Sequence, residues 1–223
     1  MTPVTTRRYF TELQPYRGRL ALIACGLLLC FASTLCAADD FFPKELVEFA
    51  PAHENPVFKA EGAGHWDVKI RERGWILKED DGWHLWYTGY DGTRAGQKML
   101  GYAKSADGIR WTTHPENPIY KDHWVEDMMI VKHDGTYYMF AEGVGDQAHL
   151  LTSKNKLQWT RVGPLEIHKT DGSVVAAPYG TPAAWFENGT WYLFYEKNDL
   201  GIWLATSTDL KVWKNVQDEP VLN

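Results

Sequence analysis

The chain has 223 residues, a formal net charge of −6, 44% hydrophobic residues and 23% charged residues. This balance excludes a disordered or collagen-like chain and argues against a basic nucleic-acid-binding surface. Aromatics reach 14%, with 11 Trp and 11 Tyr, which favours a β-rich fold or a sugar-facing surface.

Residues 1–19 carry Arg7, Arg8, Arg17 and Arg19 against a single acid, Glu12, and residues 20–38 are uncharged. A basic start, an apolar stretch and a small-residue exit predict an export signal over residues 1–38, cut after Ala38 with Cys36 and Ala38 at the −3 and −1 positions. Two alternatives stay open. The apolar stretch is long enough for an uncleaved anchor, the one case in which a membrane contact is expected. The run TRRYF at residues 6–10 resembles a twin-arginine signal. The expected location is outside the cytoplasm: periplasmic, secreted or cell-surface. Cys25, Cys30 and Cys36 all fall in this segment. Residues 39–223 therefore offer no disulfide, thiol nucleophile or cysteine-based zinc site.

The rest of the chain repeats. Asp81-Gly82-Trp83, Asp134-Gly135-Thr136-Tyr137 and Asn188-Gly189-Thr190-Trp191 each open a run of aromatic and β-branched residues, and Trp83, Tyr137 and Trp191 are 54 residues apart. The Asp-Gly or Asn-Gly pair supplies the positive φ of a tight hairpin. A second element pairs a Ser with a Trp six residues later: Ser105/Trp111, Ser153/Trp159 and Ser207/Trp213. A third is Asn55-Pro56-Val57, Asn117-Pro118-Ile119 and Glu219-Pro220-Val221. No helical periodicity appears in residues 39–223. Each unit predicts about four short antiparallel strands, the pattern of a propeller blade, with a β-sandwich as the weaker alternative. Blades are expected over about 66–115, 124–163 and 178–217. Three blades do not close a ring, and residues 218–223 look like the start of a fourth unit. The expectation is thus an all-β, five-bladed type of propeller with about three blades present, a fragment. Open arcs closing into an oligomer are the alternative.

On the hairpins GTYYMF and GTWYLFY and the runs AKSADGIRW and ATSTDLKVW, the chain resembles five-bladed β-propeller glycoside hydrolases of the family 43 type, and more distantly invertases and levansucrases. The resemblance covers about residues 55–223. It implies one acid near the axis from each of the first three blades: an Asp base, an Asp that orients it, and a Glu acid. It places Asp67 of Trp66-Asp67 and Asp127 of Trp124-Val125-Glu126-Asp127 at the first two positions. The third position is occupied by Gly180 in Pro178-Tyr179-Gly180-Thr181-Pro182, so the usual proton donor is missing.

Glycoside hydrolysis needs two carboxyl groups flanking one bond, one of them protonated near neutral pH. The catalytic candidates are Asp67 as base, Asp127 as second acid, and Glu142 or Glu196 as replacement donor. The two glutamates occupy matching places at the end of the second strand, which Tyr90 or a neighbour holds in blade one. A structural salt bridge to Lys132 or an arginine is the competing reading for Asp127. Candidate sugar contacts are His65, Trp66, Arg71, Glu72, Arg73, Trp124 and Glu126, with His123 and His149 as further hydroxyl partners. Arg71 and Arg73 are expected to share one strand face, opposite Glu72. No cofactor or metal is expected; Ca²⁺ at the funnel carboxylates has no Asp-rich loop behind it. The expected function is an exported glycoside hydrolase with a carbohydrate substrate, acting by inversion with a water nucleophile. The alternatives are a carbohydrate-binding propeller without catalysis and a protein-binding scaffold.

Overall fold

The computed structural model describes residues 47–223 except Glu72. The expected export signal lies outside the described residues. All regular elements described are strands, in three sheets.

In the first sheet β1 (Lys69–Ile70) and β2 (Trp75–Glu79) both pair with β3 (Gly82–Tyr90), followed by β4 (Met99–Ser105) and β5 (Trp111–Thr113). The second sheet runs β6 (Glu126–His133), β7 (Thr136–Gly143), β8 (Gln147–Ser153) and β9 (Thr160–Pro164). The third runs β11 (Gly180–Glu187), β12 (Thr190–Glu196), β13 (Ile202–Ser207) and β14 (Val212–Asn215), with β10 (Glu166–His168) parallel on the edge of β14. The main strands of each sheet form a consecutive antiparallel meander, to which β1 in the first sheet and β10 in the third, at residues 166–168 and outside the expected 178–217, are additions.

The 54-residue repeat is a repeat of register. Trp83, Tyr137 and Trp191 pair with Ser105, Ser153 and Ser207 respectively. Each of these serines accepts a backbone N–H two residues on, from Asp107, Asn155 or Asp209. The Asp or Asn side chain then accepts the N–H groups two and three residues further on. These nested turns satisfy the loop backbone locally, which is why Ser and Asx recur there. The residue three after each Ser is left-handed: Gly108, Lys156 and Leu210, with φ of 76°, 74° and 63°. The Trp that follows is placed so that Trp111 and Trp159 donate to the Gly108 and Lys156 carbonyls.

Alternation along β7 and β8 buries both faces of the middle blade. Phe140 and Leu150 join Leu193, Tyr195 and Trp213 in one core. Met139 and Leu151 join Trp86, Leu100 and Tyr102 in another. A third, smaller core of Leu85, Tyr87 and Ala103 with Phe58 and Trp66 lies on the other face of blade one. A strand covered on both sides reads as continuous bulk, as the sequence does here. The segments after the blades fold back onto the third strand of the blade just completed: Tyr120 bridges Leu100, Tyr179 bridges Gln147 and Leu222 bridges Ile202. Before blade three this role falls to Pro178-Tyr179, which the Asn-Pro pattern had not marked.

Candidate functional site

β6 and β11 begin with the same irregularity. Glu126 pairs with Glu142, and the ladder resumes at Met129 with Phe140. Gly180 pairs with Glu196 and resumes at Ala183 with Phe194. Inside each bulge one residue is left-handed, Asp127 at φ 46° and Thr181 at φ 50°. A bulge re-aims the side chains at a strand end and recurs next to active sites. It makes Glu126-Asp127 and Gly180-Thr181 equivalent, 54 residues apart. The same step back leads to Glu72-Arg73. Glu72 lies outside the described residues. In blade one the place of Asp127 is therefore taken by Arg73.

Arg73 is also what holds Asp127. Its Nη2 donates to Asp127 Oδ2 at 2.5 Å and its Nε to Oδ1 at 3.1 Å, a bidentate pair. Arg71 Nε lies 2.9 Å from Glu126 Oε2, an ion pair too poorly angled for a hydrogen bond. Trp124 Nε1 donates to Glu126 Oε1 at 2.6 Å. The Trp124 ring also carries the Lys98 ammonium 4.0 Å from its centre. Burial raises the pKa of Glu126, opposed by Trp124 and Arg71 and reinforced by Asp127. Arg71 and Arg73 were expected on a continuous strand, but β1 ends at Ile70 and β2 resumes at Trp75. They belong to the connecting segment, and from it both reach the neighbouring acids of blade two.

Glu142 completes the group. It is buried, and its Oε2 accepts the Thr181 N–H at 2.8 Å, with Thr181 Oγ1 at 3.4 Å. A Cβ placed on Gly180 would lie 1.9 Å from Glu142 Oε2. The carboxyl of Glu142 thus occupies the space beside residue 180, where the resemblance expects the third acid. Gly180 leaves room for it. Burial pushes the Glu142 pKa up to about 7; the Thr181 hydrogen bond opposes this, and Asp127, Asp146 and Glu126 add like-charge repulsion.

The other candidates are placed elsewhere. Glu196 accepts the Asp199 N–H within its own hairpin turn. Its equivalent in blade one is Thr88 rather than Tyr90, on the 54-residue register; Thr88 Oγ1 donates to Val125 O at 3.0 Å. Asp67 is fully buried and packs against Gly89, on the face of β3 shared with Tyr87 and turned away from blade two. Burial raises its pKa, with Glu61 and His65 as the neighbouring charges that act on it most. No hydrogen bond or ion pair among the described residues joins Asp67 to Asp127. Trp66 packs on Tyr87 with ring centres 5.7 Å apart, and His65 Nδ1 meets Glu61 at 2.7 Å. Sequence reasoning missed Thr181 and the way Gly180 admits Glu142. The 54-residue spacing of Glu126 and Gly180 is the signal that pointed to both.

A separate group at the opposite hairpin end, Glu79, Asp81 and His84, brings its ligand atoms within 4.8 Å of one another. Three ammonium groups already serve it: Lys156 lies 2.6 Å from Glu79, Lys104 lies 2.9 Å from Asp81, and Lys132 pairs with Glu79. A metal ion would have to displace them, so this group reads as an ionic tie between blades one and two.

No family model matches the chain. Among curated proteins it is 28% identical over 186 residues to a 1,2-β-oligomannan phosphorylase from Thermoanaerobacter sp. (strain X514), covering 75% of this chain and 60% of that protein. Among solved structures it superposes on a glycosyl hydrolase from Bacteroides ovatus with a TM-score of 0.64, at 20% identity, over 75% of this chain and 58% of the other. The fold is that of the propeller glycosidases. A β-1,2-mannobiose phosphorylase from Listeria innocua (TM-score 0.56, 16% identity, 73% and 63% covered) and a GH43_1 enzyme from Xanthomonas citri complexed with xylotriose (0.53, 13%, 67% and 55%) share it. The chain spans less than two thirds of the length of each of these relatives.

Proposed function

We propose that this propeller cleaves a glycosidic bond of a carbohydrate at the Glu126–Asp127–Glu142 group, with Glu142 as proton donor and Asp127 as the second carboxyl group. The observation that carries this reading is the seating of the Glu142 carboxyl against Gly180 and Thr181, raised to about 7 by its surroundings. A donor must be protonated when the leaving oxygen departs and ionised when it is restored, which favours a pKa near the working pH. Glu142 meets that condition. Asp127 is held in place by Arg73, which clamps both of its oxygens.

In the step envisaged, the bond from the anomeric carbon to the leaving oxygen breaks and that oxygen takes the Glu142 proton. An attacking oxygen forms the new bond to the anomeric carbon. If it comes from water, the water proton passes to Asp127 and the result is hydrolysis. If it comes from phosphate, the product is a sugar phosphate. The phosphorolytic reading is supported by the likeness to the oligomannan phosphorylase and by Arg71 and Arg73 beside the acids. Without turnover, the same group would serve a carbohydrate-binding propeller. Export through residues 1–38 is part of the proposal.

The test is product formation from β-1,2-mannobiose, xylotriose and aryl glycosides, with and without inorganic phosphate, by the wild type and Glu142→Gln. Turnover by the wild type that collapses in the variant supports the reading, and its phosphate dependence separates the two reactions. Binding by both without turnover selects the non-catalytic alternative. Neither binding nor turnover overturns the assignment.

A further inference from the structure

Beside the carboxylates lies a small pocket of about 100 Å³ at the end of blade two, bounded by His123, Trp124, Gly143, Gln147, His149 and Arg161. Its walls come from the segment before β6, the β7–β8 hairpin, and β9. Trp124 joins it to the acids, because the same indole that lines the pocket donates to Glu126.

Two buried polar atoms in this wall lack a hydrogen-bond partner among the described residues: His149 Nε2 and Arg161 Nε. Buried polar groups are normally paired, so each such exception calls for an explanation. His149 is only 3% exposed. Burial, together with the positive charge of Arg161 and His123, lowers its pKa to about 4, so the ring is neutral at physiological pH. The ring donates to the Gln147 backbone, the one influence that raises its pKa. Its Nδ1 edge lies beside Gly143. With the proton on Nδ1, Nε2 carries a bare lone pair.

A neutral imidazole nitrogen and a guanidinium nitrogen, both without a partner in one pocket wall, define the complement. An anion satisfies Arg161 but meets the lone pair of His149. A metal cation satisfies His149 but meets the charge of Arg161. A hydroxyl group donates to one and accepts from the other.

We propose that this pocket is a sugar-hydroxyl subsite adjoining the carboxylates, where His149 Nε2 accepts a hydrogen bond from a ligand hydroxyl and Arg161 donates to the same oxygen. Gly143 is part of the device, since a Cβ there would lie 2.7 Å from His149 Nδ1. The inference rests on the carbohydrate reading above and names residues that fix how the sugar is held.

The test titrates the full chain with β-1,2-mannobiose, with xylotriose and, separately, with inorganic phosphate. The readouts are calorimetry and the ¹⁵N signal of His149 Nε2. The variants are His149→Phe, which keeps a ring, and Arg161→Met, on the partly exposed strand β9. Weakening of sugar binding by about tenfold or more in each variant, with the wild-type Nε2 signal shifting on sugar addition, supports the subsite. Wild-type sugar binding with an unmoved Nε2 signal and unaffected variants overturns it and leaves the carboxylate reading standing. An Nε2 signal moved by phosphate and not by sugar makes the pocket an anion site and also overturns it. A wild type that binds neither sugar brings down both readings.

Discussion

Gly180 and Glu142 form one device split over two blades. Gly180→Ala places a methyl group where the carboxyl rests. Gly180 is not among the residues with positive φ, so alanine suits its backbone. The expected outcome is a loss of turnover approaching that of Glu142→Gln, about 10²–10⁴-fold for a lost general acid, with little change in melting temperature. Glu142 also has a signature in stability. Its folded pKa of about 7 lies above the ordinary glutamate value of about 4.5, so the folded state binds the proton more tightly. That contribution is full at low pH and is lost as pH rises from about 4.5 through about 7. Denaturant titrations across this window should show Glu142→Gln removing the decline. The sequence placed Glu142 and Glu196 as equals, since they stand at matching points of their strands. It could not choose between them, because the choice depends on which carboxyl meets Gly180 across the blade boundary. Asp67 was legible as a Trp-Asp motif, but its face of the sheet is set by β1 pairing with only the end of β3.

Among elements, the interface between blades one and two is held at one end by a partly buried ionic group. Burial alone would raise the pKa of Glu79, but hydrogen bonds from Lys132, Lys156 and Tyr137 together lower it to about 2. A depressed folded pKa gives stability that is present above about 4.5 and lost as pH falls toward about 2. Glu79→Gln should cost about 2 kcal/mol at neutral pH in urea unfolding and leave a flatter acid limb than the wild type. Ser207→Ala tests the nested turn. Ser207 is buried and accepts the N–H groups of Asp209 and Leu210. The expected loss is about 1 kcal/mol. The Ser and Asx positions could be read from sequence because their hydrogen bonds are local. Arg71 and Arg73 were misread as strand, because the break between Ile70 and Trp75 depends on pairing with β3 and has no local marker.

For the whole molecule, the blades were the most legible feature, since three copies in one register expose the period without any single strand being decisive. The same period held more than was taken from it: Arg73, Asp127 and Thr181 are 54 residues apart. The three blades therefore differ chemically at one structural position, which carries a guanidinium, a carboxylate and a hydroxyl. The site is assembled from those differences, with Arg73 of blade one holding Asp127 of blade two and Thr181 of blade three holding Glu142. Packing repeats, and the proposed site lies where the repeat is broken. The cleavage chemistry proposed here needs that convergence and one protonated carboxyl within it. The most direct measurement is the pH–rate profile for product release from β-1,2-mannobiose by the wild type and Glu142→Gln, with phosphate present. The account predicts a wild-type rate that falls as pH rises through about 7 and a variant that has lost both the rate and that limb. A variant with the wild-type rate and the same profile would contradict it.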